Sequence, residues 1–383
     1  MQELNKRFCI APWTSVVLKT TGNLGPCCAY PTHNKIKDIS IKDYYNSDFN
    51  RELKQKMLNG EEISGCLDCY RADELYGSSL RTKTNELAQG SMEDYEILEF
   101  PLELELQISN ICNIKCLTCR PEDSSSFLTE NKVLKISDHS NRDYQLSDEK
   151  LDQIFNDINK NKINMLDLRG GESMIVPNIK QRLIDLTSVN NVELRIQTNG
   201  TIWDDEWFGI FEKFREVNIM ISIDAYGDDN HYVRFPAEWE KIENTVNKMK
   251  SVPNLRLSGH CTVSNLNLPI LPQLLDWIIR EDIEFGFTGL AYPDYFEMIN
   301  LPMEIINNAK QELDKYRNKF NHDYTNSQIN SILLRLETIE QQLDNTKWDT
   351  FCRVIDIRDQ HRNNSIFDIQ PELRKYWKHA QAE

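Results

Sequence analysis

Leu102 to Pro121 reads LELELQISNICNIKCLTCRP, and the fold follows from this stretch. Leu102, Leu104 and Leu106 alternate with Glu103 and Glu105, the period-two pattern of a half-buried strand. The strand runs into a polar turn, Ser109-Asn110, and then into Cys112, Cys116 and Cys119, a CxxxCxxC. Three thiolates on one short loop can hold three corners of an iron–sulfur cube and leave the fourth iron without a protein ligand. An open metal position suits catalysis, whereas a structural site is closed by four ligands. A zinc ion here would need a fourth ligand, and the nearest downstream histidine is His139.

Strand-like and helix-like segments alternate downstream of this loop. The pattern predicts helix 147–159, strand 163–168, helix 179–187, strand 192–197 and helix 204–214. It continues with strand 217–223, helix 238–250, strand 255–263, helix 271–281 and strand 283–287. Helices between successive strands force parallel pairing with right-handed crossovers. Six strands of this kind suit an open (β/α)6 barrel, whose functional groups gather at the C-terminal ends of strands.

Those ends carry distinctive residues. The second strand is followed by Arg169-Gly170-Gly171-Glu172-Ser173, where two glycines let the backbone approach a ligand closely and Glu172 can receive an ammonium group. The third ends in Thr198-Asn199-Gly200 and the fourth in Ser222-Ile223-Asp224-Ala225, with His231 and Arg234 downstream. His260 and Cys261 lie near the end of the fifth, and Tyr292 follows the sixth. His260, Asp224 and Tyr292 are the candidates for substrate chemistry. Cys261 reads as a small buried hydrophobe.

A second cysteine group precedes the barrel. Thr14 to Lys19 reads as a strand and Thr21-Gly22-Asn23 as a hairpin turn, so Cys9 and Cys27 return to one end of a hairpin. An amphipathic helical stretch, Phe49 to Leu58, then leads to Cys66 and Cys69. Four thiolates from two separated pairs make a closed site, which suits an iron–sulfur cluster or zinc. Cys28 is a spare thiol beside Cys27, and spacing does not choose between the two.

The cluster loop, in this order with the Gly-Gly-Glu and Thr-Asn-Gly strand ends, resembles the radical SAM (S-adenosylmethionine) superfamily. The spacing Cys9–x12–Gly22–x4–Cys27 and the CLDC at 66–69 resemble the SPASM and twitch modules that bind auxiliary iron–sulfur clusters. Here the module precedes the barrel instead of following it, and the cysteine count fits the one-cluster twitch type.

The resemblance implies an α/β fold: a partial (β/α)6 radical SAM barrel over 98–290, a small cysteine-rich twitch-like module over 1–95 and a helical C-terminal extension over 300–383. It implies a [4Fe-4S] cluster on Cys112, Cys116 and Cys119, whose open iron chelates SAM, and a second, auxiliary [4Fe-4S] cluster on Cys9, Cys27, Cys66 and Cys69. SAM would be held by Gly170, Gly171, Glu172, Asn199, Ser222 and Arg234, the last as a bidentate fork on the carboxylate. The usual proline after Gly-Gly-Glu is Ser173 here, and Ala225 replaces the glycine of an SxDG.

The implied activity is reductive cleavage of SAM to a 5′-deoxyadenosyl radical that abstracts hydrogen from a peptide or protein side chain, for oxidation or cross-linking. A second reading is a dehydrogenase or mutase of a small molecule such as a sugar or nucleotide. A third is a non-catalytic zinc protein that binds partners. A flavodoxin or ferredoxin is the expected electron donor.

Composition bounds these readings. With 383 residues, 40% hydrophobic and 27% charged, the chain is long enough for two or three domains. The net charge of −16 argues against unspecific grip on a nucleic-acid backbone, which depends on Lys and Arg. No membrane-length apolar run and no secretory signal are legible, so a cytoplasmic protein is expected, and ten cysteines then read as metal ligands before disulfides. Residues 303–347 are helix-prone, with Ile305, Ile306, Leu313, Tyr316, Ile332, Leu334 and Leu336 as apolar faces, read as a cap on the barrel. Cys352 is expected beyond these helices, as a free thiol or an extra ligand.

Overall fold

The computed structural model describes residues 5–31, 34–36, 38–88, 90–136, 144–339 and 345–377; His139 lies outside them. The chain divides into two compact units. The first comprises Met1–Ile111, Asp143–Ile196 and Glu206–Val217, the second Cys112–Arg142, Gln197–Asp205 and Asn218–Glu383.

In the first unit, β1 (Ser15–Leu18), β2 (Asn23–Gly25), β3 (Asn34–Lys35), β4 (Glu103–Gln107), β5 (Met165–Arg169) and β6 (Glu193–Thr198) lie in the order β3-β2-β1-β4-β5-β6. β1 and β2 form the expected hairpin, turning at Gly22 with φ +78°, a conformation that costs glycine little. The β4–β5 and β5–β6 pairs are parallel, with Glu103 opposite Met165 and Met165 opposite Glu193. β1 also pairs in parallel with β4, Ser15 opposite Glu103, a connection that the hairpin pattern did not announce. The crossover helix Asp148–Lys160 starts where Ser147 accepts the Lys150 N–H, which satisfies one of the free donors of its first turn. Leu104 and Leu106 are fully buried, as the alternation required.

In the second unit, β7 (Glu216–Ser222, from Asn218 onward), β8 (Leu255–Val263) and β9 (Glu284–Gly289) follow one another across the sheet. β8 and β9 are parallel, Ser258 opposite Glu284. Gly259 is required by packing: a Cβ there would stand 1.8 Å from the Phe285 ring. Helices Trp239–Lys250 and Leu271–Glu281 join these strands. Six β/α repeats are thus present, β4–β6 in the first unit and β7–β9 in the second, the composition of a partial (β/α)6 barrel.

The C-terminal extension is helical over Met303–Asp314, Asp323–Glu337 and Asn345–Arg362. Two expectations need correcting here. Leu334 points outward, 61% exposed, while Leu333 is buried, because the helical register turns that face by one residue. Cys352 lies inside the last of these helices and is buried, not beyond the helices. No helix among the described residues is long and apolar enough to cross a membrane.

Candidate metal centres and cofactor site

The three thiols of the CxxxCxxC loop belong to the second unit, where Cys112 and Cys116 are buried. The loop is held by its own backbone. Lys115 N–H donates to the Phe235 carbonyl at 2.5 Å and Leu117 N–H to the Val233 carbonyl at 2.8 Å. Ser126 Oγ donates to the Cys112 carbonyl at 2.5 Å, and Ser124 Oγ to the Ile114 carbonyl at 3.1 Å. Asn199 Nδ2 donates to Asn113 Oδ1 at 2.9 Å and lies 4.0 Å from Cys112 Sγ. The Asn of the Thr-Asn-Gly strand end therefore sits beside the first cysteine.

Burial pushes the Cys116 thiol up to about 12, while the charge of Arg234 pulls the other way. Burial raises Cys119 well above its ordinary value too, and the neighbouring Cys116 adds to this. Such thiols stay protonated without a cation, and a coordinated metal is the charge that removes the proton. Three soft donors spaced along one loop suit iron–sulfur ligation, so the residue types present fit the group that the motif implies.

Arg234 does not stand open to solvent. Its Nη1 donates to Asp224 Oδ2 at 2.8 Å, with both residues buried. Asp224 is a hub: its Oδ1 accepts from Thr262 N–H at 2.8 Å and its carbonyl from Asn267 Nδ2 at 2.8 Å. Asn230 Oδ1 accepts the N–H groups of Asp224 and Ala225 at 3.1 and 3.3 Å. Cys261 is fully buried against the same carbonyl, which agrees with its reading as a core thiol. Ser222 accepts from Gln197 Nε2 at 3.3 Å. His260 Nε2 faces Thr288 Oγ1 at 3.0 Å. Tyr292 is 55% exposed, with the Arg120 guanidinium 6.0 Å from its ring centroid.

The Gly-Gly-Glu turn belongs to the first unit, and its glycines meet backbone. Gly171 N–H donates to the Ser109 carbonyl at 2.9 Å and Glu172 N–H to the Ile111 carbonyl at 2.7 Å. A Cβ on Gly170 would stand 2.4 Å from the Ser109 carbonyl oxygen, and one on Gly171 2.2 Å from that of Ile111. The glycines let the turn lie against residues 109–111, the lead-in to Cys112. Glu172 is buried and accepts from Met174 N–H at 3.2 Å.

The N-terminal thiols also belong to the first unit. Cys9, Cys27, Cys66 and Cys69 all line one cavity, together with Tyr30 and Arg81. Burial pushes Cys9 up to about 11 and Cys27 and Cys66 up to about 12. Cys28 is exposed and does not line the cavity. Four cysteines around one cavity fit a fully ligated cluster. Among the described residues, no three His, Cys, Asp or Glu side chains converge closely enough to grip a single ion.

Sequence reading missed Asn113, Asn230 and Asn267, which fasten the strand ends, and the arginines Arg358 and Arg362. Asn230 lies between two quoted motifs and carries no motif of its own. The arginines are separated from their partners by more than 200 residues, so no local pattern marks them.

Residues 106–278 match the Radical SAM superfamily. The sporulation killing factor maturation protein SkfB of Bacillus subtilis is 20% identical over 216 residues, covering 56% of this chain and 47% of that protein. The chain therefore spans about half the length of this curated relative. Among solved structures, SuiB of Streptococcus suis aligns with a TM-score of 0.42 and 15% identity over 84% of this chain and 70% of that one. A structure described as native anSMEcpe with bound AdoMet and Kp18Cys peptide aligns with a TM-score of 0.42 and 17% identity, over 56% and 59%.

Proposed function

We propose, from the match of residues 106–278 to the Radical SAM superfamily, that the chain cleaves SAM reductively to abstract hydrogen from a peptide or protein side chain, with a second cluster held by its N-terminal cysteines. The observation that carries this reading is the pair of thiol groups: Cys112, Cys116 and Cys119 on one loop, and Cys9, Cys27, Cys66 and Cys69 around one cavity. When bound, a [4Fe-4S] cluster would supply the one electron needed for reductive cleavage of SAM to the 5′-deoxyadenosyl radical that takes hydrogen from substrate. Cys112, Cys116 and Cys119 would hold it.

The remaining roles fall to this chain's own side chains. Glu172, a buried carboxylate, would receive the SAM amino group, and Asn199 would face the ribose. Gly170, Gly171 and Ser222 would shape the surrounding backbone. Arg234, paired with Asp224, brings a cation near Cys116, and either its charge or its remaining donors would face the SAM carboxylate. His260, Asp224 and Tyr292 remain the candidates for touching substrate, with a flavodoxin or ferredoxin as donor. A relative named as a maturation protein supports a polypeptide substrate over a sugar or nucleotide.

The test measures iron and acid-labile sulfide after anaerobic reconstitution, in wild type and in the Cys112/Cys116/Cys119→Ala variant. Two cubanes give about eight irons falling to about four, with 5′-deoxyadenosine formed by wild type alone. Zinc in both groups and no SAM cleavage would overturn the reading. Deuterium passing from a labelled peptide into 5′-deoxyadenosine identifies the substrate class, and transfer only from a small molecule favours the alternative.

A further inference from the structure

The C-terminal helix Asn345–Arg362 reaches back to the cluster loop within the second unit. Arg362 Nη2 donates to the carbonyl of Lys115, between Cys112 and Cys116, at 2.8 Å. The same guanidinium grips Glu130, with Nε to Oε1 at 3.0 Å and Nη2 to Oε2 at 2.7 Å. Arg358, one helical turn earlier, donates to Glu130 and to Asn131 Oδ1. Glu130 stands on helix Ser125–Leu134, whose first turn also holds the loop through Ser126. The Arg362 guanidinium further lies 5.0 Å from the ring centroid of Phe235, and the Phe235 carbonyl accepts the Lys115 N–H.

Charge in this cluster is unbalanced. Glu130, Arg358 and Arg362 are all buried, and Lys115 Nζ is 4.0 Å from Glu130. One carboxylate, Glu130, is thus in contact with three cations, and Asp359 acts on Arg362 only from further off. The next acid, Asp359, is turned to Tyr232 Oη and the Ile366 N–H, both at 2.7 Å. Arg358 Nε and Arg362 Nη1 are buried without a hydrogen-bond partner among the described residues. Unmatched buried cations are costly unless an anion lies nearby. A cluster held by three thiolates is such an anion, on the loop that Arg362 touches.

We propose that Arg362, braced by Glu130 and Arg358, is a positioning residue for the cluster loop whose charge eases reduction of the cluster that Cys112, Cys116 and Cys119 hold. The inference rests on the function proposed above, and it gives the C-terminal extension a role in the site beyond covering the barrel. Arg362 fixes the Lys115 carbonyl and so the spacing of two ligands. Its positive charge favours the reduced cluster, which carries one more negative charge than the oxidised one.

The test reconstitutes wild type, Arg362→Gln, Arg362→Lys and the exposed same-helix control Arg353→Gln. Each is titrated redox-potentiometrically by electron paramagnetic resonance, and the signal absent from the triple-cysteine variant is assigned to the barrel cluster. Arg362→Gln should lower the reduced-to-oxidised ratio at fixed poise about tenfold, equivalent to about 59 mV for one electron. Arg362→Lys keeps the charge but cannot bridge Glu130 and Lys115 together. It should hold the potential near wild type while releasing iron to a chelator several-fold faster. Arg353→Gln should match wild type in both. If Arg362→Gln does not fold, the chelator rate of Arg362→Lys decides the matter. Wild-type potential and iron release in the Arg362 variants would overturn the inference while leaving the proposed function intact. A wild type without the triple-cysteine-dependent signal would instead sink the function itself.

Discussion

A Cβ atom on Gly171 would lie 2.2 Å from the carbonyl oxygen of Ile111, the residue before the first cysteine of the CxxxCxxC loop. No side chain fits there without moving backbone. Gly171→Ala should therefore lose about 1–3 kcal/mol of stability, the range for overpacking a close contact. It should also retain less iron on reconstitution. A urea midpoint and iron content equal to wild type would show that the turn can yield.

Asp224 and Arg234 form a buried pair at 2.8 Å. Asp224→Asn should destabilise by about 3–5 kcal/mol, since a buried charge loses its partner. The double variant Asp224→Asn/Arg234→Met should lose less stability than the sum of Asp224→Asn and Arg234→Met, because it leaves no lone buried charge. Chemical denaturation of the four proteins measures the coupling, and simple additivity would remove the pair's structural role.

Cys28 neighbours Cys27 in sequence but does not line the thiol cavity. Cys27→Ser and Cys66→Ser should each lower iron by about four atoms per chain, the content of one cubane. Cys28→Ser should leave iron unchanged. A loss with Cys28→Ser and none with Cys27→Ser would exchange the ligand assignment.

Burial raises Asp359 from 3.8 to about 6, against the opposing hydrogen bond of Tyr232 and the charge of Arg362, with Asp356 adding to the rise. The folded chain then holds a proton that the unfolded chain releases earlier. The associated stability is fully present below about pH 4 and lost as pH rises through about 6. Asp359→Asn should flatten this fall, so the wild-type midpoint relative to the variant should decline from pH 4.5 to pH 7. A constant difference between the two proteins would exclude Asp359 as the titrating group.

Local patterns were legible where one segment contains its own reason. β8 spans Leu255–Val263 and its following helix Leu271–Glu281, as the alternation and the 3.6-residue period require. The three-cysteine loop, the Gly-Gly-Glu turn and the paired N-terminal cysteines were likewise visible as patterns, because each is defined by spacing along a short piece of chain. The register of the C-terminal helices was not. Leu333 and Leu334 are equally apolar, and only packing chooses which is buried.

By itself the sequence determined the β/α alternation, the three-thiol loop and the existence of a second cysteine group, all set by neighbours a few residues apart. Tertiary structure alone decided that β1 joins β4, that Cys27 and not Cys28 lines the cavity, and that the paired glycines yield to the backbone of residues 109–111. It also decided that Arg234 meets Asp224 and that Arg362 reaches Glu130, 232 residues away. Charges find partners by burial and distance in space, and a one-dimensional pattern does not carry that information.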